Sequence, residues 1–212
     1  RMTLDLGFSY VIQKDQNMLS QGQYFNPIVP LYLFPRGEDF TPYRMYERYD
    51  EGRQLMTQHW PYGEMGMAMQ NPYWIINRNM FNNDRDRYMA NAGLKYKVFD
   101  WMDISGRVRI DNANTRHTKK LYASTDAKFA QSKGYYGDRK DVDKQLYADF
   151  LVNINKRFND FDLTANVGAS IQDVSMDYVG AEGQLSMIPN FFTLHNVDLG
   201  ANNSRIKQDG WK

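Results

Sequence analysis

The sequence predicts an all-β chain, a segment of an antiparallel up-and-down transmembrane β-barrel with about five strands and long extracellular loops. Three observations predict it. Apolar and polar residues alternate with period two over stretches of about 10 to 15 residues, where soluble strands average about 5 to 6. The connections are lopsided, with tight turns at one end and long excursions at the other. Aromatic residues collect where the strands stop. A bilayer-crossing strand needs about 9–11 tilted residues, and outer-membrane barrels join them by short turns on one side and long loops on the other.

Composition agrees with a folded chain of unusual kind. Leu, Ile, Val and Phe make up about 22 % of the 212 residues, a thin inventory for a soluble core of this size. Aromatics reach 15 %, too many for a solvated tail. Asp outnumbers Glu by 20 to 5, which favours turns and caps over helix interiors. The net charge of +1 gives no case for nucleic acid, and the absence of cysteine excludes disulfides, thiolate metal sites and cysteine nucleophiles. No apolar run approaches the ~20 residues of a membrane helix. Arg1 already stands inside an alternating pattern, so the segment reads as internal.

The strands are placed near 2–13, 86–98, 102–111, 145–157 and 161–177. The first sets Met2, Leu4, Leu6, Phe8, Tyr10 and Ile12 on one face. The second does the same with Tyr88, Ala90, Ala92, Leu94, Tyr96 and Val98, and the third with Met102, Ile104, Val108 and Ile110. Leu146, Ala148, Phe150, Val152 and Ile154 mark the fourth, and Phe161, Leu163, Ala165, Val167, Ala169 and Ile171 the fifth. Strands two and three are joined through Phe99-Asp100-Trp101, and four and five through Phe158-Asn159-Asp160. Loops near 14–86, 112–144 and 178–212 take the opposite end. Within them, Thr41-Pro42 is expected to start a short helix through Tyr49, and Phe25 to Pro35, with three prolines, to run extended.

Phe99, Trp101, Phe158 and Phe161 are candidates for an aromatic girdle at the short turns, with Tyr10, Tyr88 and Tyr178 toward the other rim. Ordinary strand preference for aromatics gives the same pattern. The opposite strand face carries Arg87, Lys95, Lys97, Arg107, Arg109, Asp103, Asp111 and Asp149. It cannot lie on lipid, where a midplane Arg or Lys costs about 2–4 kcal/mol, and suits a water-filled or plugged lumen. The solvated face of a soluble sheet would look alike. Trp60, Tyr62, Tyr73 and Trp74 are the candidate substrate or partner contacts, as rings beside turn residues in the first loop. Internal packing of the loop is the competing reading, for Trp74 especially because Ile75 and Ile76 follow.

Nothing in the sequence assembles a catalytic site. His59, His117 and His195 fall in predicted loops without metal-ligand spacing, and the acidic pairs Asp84/Asp86, Asp141/Asp143 and Asp160/Asp162 lack the rest of a calcium loop. No phosphate loop or nucleophile elbow is found, so the expectation is a non-enzyme without cofactor. Asn202-Asn203-Ser204 fits a glycosylation sequon, a pattern common by chance.

Three stretches resemble the SusC-type, TonB-dependent outer-membrane transporters of Bacteroidetes. Asn71-Pro72-Tyr73-Trp74 closes a long loop shortly before a strand. Gly93, Leu94 and Tyr96, then Asp100-Trp101-Met102 and Ile104-x-Gly106-Arg107, resemble that family's strand–turn–strand, in which Leu more often stands at position 102. Pro189-Asn190-Phe191-Phe192-Thr193-Leu194-His195-Asn196 resembles its loop segment ahead of a following strand. Each motif is short; their order and spacing, over most of the chain, carry the resemblance. It implies a barrel of 22 strands in the Gram-negative outer membrane and a surface lipoprotein of the SusD type as lid. It also implies oligosaccharide or peptide import driven by TonB through a plug domain that these residues do not contain. A siderophore or cobalamin receptor, or a soluble glycan-binding β-sandwich, are the alternatives.

Overall fold

The computed structural model describes residues 1–18, 22–64, 69–200 and 205–211. From Met2 the chain enters a long strand, β1 (Met2–Gln16), then a short helix α1 (Ile28–Leu33) and a 3-10 turn at Thr41–Arg44. A small ribbon, β2 (Glu47–Asp50) and β3 (Leu55–Gln58), leads to helix α2 (Pro72–Arg78). Four long strands follow: β4 (Asn79–Phe99), β5 (Met102–Leu121), β6 (Tyr135–Phe158) and β7 (Phe161–Gln184). A second 3-10 turn (Leu194–Asn196) precedes β8 (Arg205–Trp211).

Six strands form one antiparallel sheet in the order β1-β4-β5-β6-β7-β8, an up-and-down meander interrupted by the ribbon, the two helices and the two 3-10 turns. Because side chains alternate across a strand, residues paired in register share a face. Rows such as Leu6–Ala92–Val108–Ala148–Ile171 therefore cross five strands on one side, and Gly7–Asn91–Arg109–Tyr147–Gln172 lie behind them. The sheet is open among the described residues.

The strands run further than the alternation predicts. Residues 79–85, 112–121, 135–144 and 178–184, expected in loops, continue β4 to β7, and 205–211, also placed in a loop, is β8. The reason is visible in the residues. Asn82, Asn83 and Asp84 on β4, and Asn112, Asn114 and Thr115 on β5, make both faces polar, so the two-residue period vanishes while the backbone ladder continues. His117, expected in a loop, lies on β5 for the same reason.

Two local expectations in the first loop also change. Phe25 to Pro35 is not extended throughout, because α1 occupies its centre. Pro30 is the third residue of that helix, where no intrahelical partner waits for its missing N–H. The helix expected from Thr41 stops at Arg44, and Glu47–Asp50 turns into the ribbon. The short turns behave as read. Asn159 takes a positive φ of 47° between Phe158 and Phe161, a conformation Asn tolerates better than most residues.

Burial is concentrated at one end. Trp74, Leu121, Gln70, Asn71, Asn79 and Thr125 are sealed in a layer built by the loops and the adjoining strand ends. No helix among the described residues is long and apolar enough to cross a membrane. The Asn202-Asn203-Ser204 sequon lies outside the described residues.

Candidate functional site

The register puts Arg87, Lys95, Arg107, Arg109 and Asp149 on one face, together with Lys97, Asp103 and Asp111. Their charges are matched across strands. Arg107 and Asp149 stand directly opposite, 2.9 Å apart, and Lys95 reaches Asp103 on the diagonal at 3.2 Å. Arg87 donates both Nε and an NH2 group to Asp111, and Asn153 donates to Asp103 at 2.8 Å. Arg109 has no carboxylate opposite it; Asn91, Tyr147 and Gln172 fill its row. Pairing of this kind suits a wet surface, where each exposed pair adds little stability but long side chains are held in place.

The other face is apolar over five successive rows of β5, from Met102 to Ile110, with Ala, Leu, Ile, Val and Phe from β1, β4, β6 and β7 alongside. Asp173, in the row of Ile110 and Leu146, is the charged exception. Phe8 is 75 % exposed and Ile171 67 %, so no described part of the chain covers this face.

Aromatic rings bound it. At the short turns Phe99 and Trp101 stack with centroids 5.2 Å apart, and Phe158 pairs with Phe161 in register. The Lys156 ammonium lies over Trp101 at 4.7 Å and over Phe158 at 4.9 Å, its stem along the apolar side and its charge at the edge. At the far end Tyr10 and Tyr88 are direct neighbours on the same face. Tyr178 is not part of this rim: it shares a row with Asp141 on the polar face, under the Arg139 guanidinium at 4.5 Å.

The loop layer is held by a connected set of buried amides and hydroxyls. Asn71 caps α2 by accepting from the Tyr73 N–H at 2.9 Å, with Pro72 at the tolerated first helical position. Its amide donates to the carbonyls of Tyr43 (2.7 Å) and His59 (2.9 Å), tying two distant loop segments to the helix. Trp74 Nε1 donates to Thr125 Oγ1 at 3.0 Å, which donates to Asn79 Oδ1 at 2.7 Å; Asn79 in turn donates to Gln70 at 3.1 Å. Gln58 closes the set on Ser124, donating Nε2 to its carbonyl at 2.6 Å. Each member is satisfied by another, which is the condition for burying polar groups without a large penalty. Glu47 accepts from Arg78 Nε and NH2, both at 2.8 Å, and holds that guanidinium above its ordinary range.

This geometry corrects two of the four proposed contact residues. Trp74 is 0 % exposed and Trp60 6 %, so neither ring presents a face to a ligand. Trp60 packs among Phe34, Phe40, Tyr43 and Tyr62 at centroid distances of 5.5 to 6.0 Å. Its Nε1 has no hydrogen-bond partner among the described residues. Tyr62 and Tyr73 are half-buried at the edge of the same cluster. The sequence signal for these roles was present: Asn followed by Pro marks a helix start, which makes Trp74 a residue of the helix's first turn. Gln58, Gln70, Asn79, Ser124 and Thr125 carry no comparable signal, since they meet only through the fold.

Among the described residues, no group of three or more His, Cys, Asp or Glu side chains is placed to hold a metal ion. His117 is engaged instead by Asn83 Oδ1 at 2.6 Å and Asp141 at 3.4 Å. Neither a protein-family model nor a curated protein matches this chain.

Proposed function

We propose that this sheet is a section of the wall of a transmembrane β-barrel in a SusC-type, TonB-dependent outer-membrane importer, with the loop layer facing outward. The observation that carries the reading is the uncovered apolar face bounded by aromatic rings. From Met102 to Asn112, beside Tyr10 and Tyr88, the strand takes ten residue steps. At ~3.4 Å each and a tilt of ~40° these cover about 26 Å of height, against an apolar band of about 25 Å in outer-membrane barrels. Turns at Asp100–Trp101 and Asn159–Asp160 oppose loops of many residues, the asymmetry of periplasmic and extracellular ends. The outer edges of β1 and β8 have ladder groups that no described strand pairs, as neighbours in a larger barrel would require.

In this reading Arg87, Lys95, Arg107, Arg109 and Asp149 line the lumen, and Phe99, Trp101, Phe158 and Phe161 sit at the inner membrane–water boundary. A SusD-type lipoprotein covers the loop layer, and TonB acts through a plug. The cargo is an oligosaccharide, with a peptide as the second candidate. The test is extraction of the full-length protein: retention in the outer-membrane fraction through high salt and carbonate is expected, and release by salt alone overturns the proposal. A soluble glycan-binding β-sandwich would be released in that way, and a siderophore or cobalamin receptor would be retained yet work without a lipoprotein lid.

A further inference from the structure

Where the polar face meets the loop layer the sheet has a hollow of about 320 Å³, the low end of small-molecule sites. Gly137 on β6 and Gly180 on β7 lie diagonally across the strand pair in its floor. A Cβ at Gly137 would come within 2.9 Å of the Glu182 Cβ, and one at Gly180 within 2.8 Å of the Arg139 Cβ. Side chains there would collide with their neighbours and fill the space. Phe81 forms one wall, braced at 5.1 Å by Phe25 from the loop layer, which itself meets Phe129 at 4.9 Å.

The charges around this hollow do not balance. Arg139 is matched by Asp141 through two hydrogen bonds of 2.6 and 2.8 Å. Asp138 is matched by Arg116 at 2.6 Å. What remains is Lys119, whose ammonium lies 4.4 Å from the Tyr135 ring centre, with Glu182 and, opposite Glu182 in register, Arg205. Two cations thus face one carboxylate in a concave site, beside an aromatic wall.

We propose that this hollow binds the carboxylate of a small solute, with Lys119 and Arg205 taking the anion and the Phe81 ring lying against the solute's apolar side. A single sugar acid or the C-terminal end of a peptide supplies the same chemistry at that size. The inference rests on the importer reading, since it makes the polar face a solute path, and it narrows the cargo to acidic molecules.

The experiment uses the full-length protein in detergent micelles and calorimetric titration with four probes: glucuronate, glucose, acetyl-dialanine and its C-terminal amide. At least one acid is expected to bind about tenfold more tightly than its neutral counterpart, the scale of one charge-assisted contact. Glucuronate as the tighter acid assigns an acidic glycan, and acetyl-dialanine a peptide. Lys119→Gln should weaken acid binding about tenfold, with Lys119→Arg restoring it. Glu182→Gln should strengthen it by a similar factor, a gain that structural damage does not produce. Equal binding of acid and neutral probes, no acid binding, or no gain from Glu182→Gln overturns the site. Carbonate extraction of the same membranes separates the two ideas: a retained protein that ignores acids refutes the hollow alone, whereas release by salt refutes the wall.

Discussion

The sheet and the loop layer are stabilised in opposite ways. In the loop layer Trp74, Leu121 and Gln70 are fully enclosed, and the side chains of Asn71, Thr125, Asn79 and Gln70 all hydrogen-bond within the chain. In the sheet, Phe8 and Val167 stand 75 % and 67 % exposed on the apolar side, and the polar side is laced by pairs open to water. The loop layer brings its own interior. The sheet's apolar face takes its interior from whatever medium lies against it, and that difference decides what a substitution does in each place.

The largest effect is expected in the loop layer. Trp74→Ala removes a sealed ring and leaves Thr125 without its donor, so about 3–5 kcal/mol of stability should be lost. Limited proteolysis of the full-length protein in micelles should then show cleavage within 22–64 while the strands stay protected. Loss of the strands at the same protease concentration would mean that the two regions are one cooperative unit. Next comes Val167→Arg, near the middle of the apolar band. In water a substitution at so exposed a position changes stability by no more than about 0.5 kcal/mol, but against lipid it costs about 2–4 kcal/mol. Unfolding in urea from lipid vesicles distinguishes the two, and a neutral outcome would break the contrast between the regions. Asn71→Ala ranks third. Loss of the helix cap together with donors to the Tyr43 and His59 carbonyls should cost about 2 kcal/mol, read as a lower thermal midpoint with Trp74 fluorescence shifting to the red.

The same contrast explains what could be read before the structure. Where one face is apolar and the other polar, as from Met102 to Ile110, the sequence states strand, face and neighbour at once. Beyond Asn112 both faces are polar, and nothing in the residue types distinguishes ladder from loop; the ends of β4 to β7 and the whole of β8 were hidden for that reason. The polar-face residues Arg87, Lys95, Arg107, Arg109 and Asp149 were assignable to a common side by parity alone, because antiparallel register preserves it. Their partners were not, since the diagonal Lys95–Asp103 contact depends on the exact register. The hollow at Gly137 and Gly180 was illegible. It is made by residues 43 positions apart on strands whose extension the pattern did not reveal.

The smallest effect tests the polar side of the sheet. Arg107 is 71 % exposed in its side chain while Asp149 is shielded at 11 %, so the pair is open to solvent from the arginine's side. Counter-ions and water screen such a contact, and Arg107→Gln should leave the thermal midpoint of the protein in micelles where it was. The Asp149 carboxylate then keeps only water as its partner on that flank, where Gly93, beyond position 107 in the same row, adds no side chain. On the barrel proposal, conductance of the protein in planar bilayers supplies the second reading: the proposed lumen, having lost one positive charge, should shift toward cations in low salt, and the shift should fade as salt rises past the Debye screening range. A lowered thermal midpoint comparable to that of Asn71→Ala, with no change in ion preference, would place Arg107 in a packed interior instead and remove the distinction between a wet wall and a sealed cap.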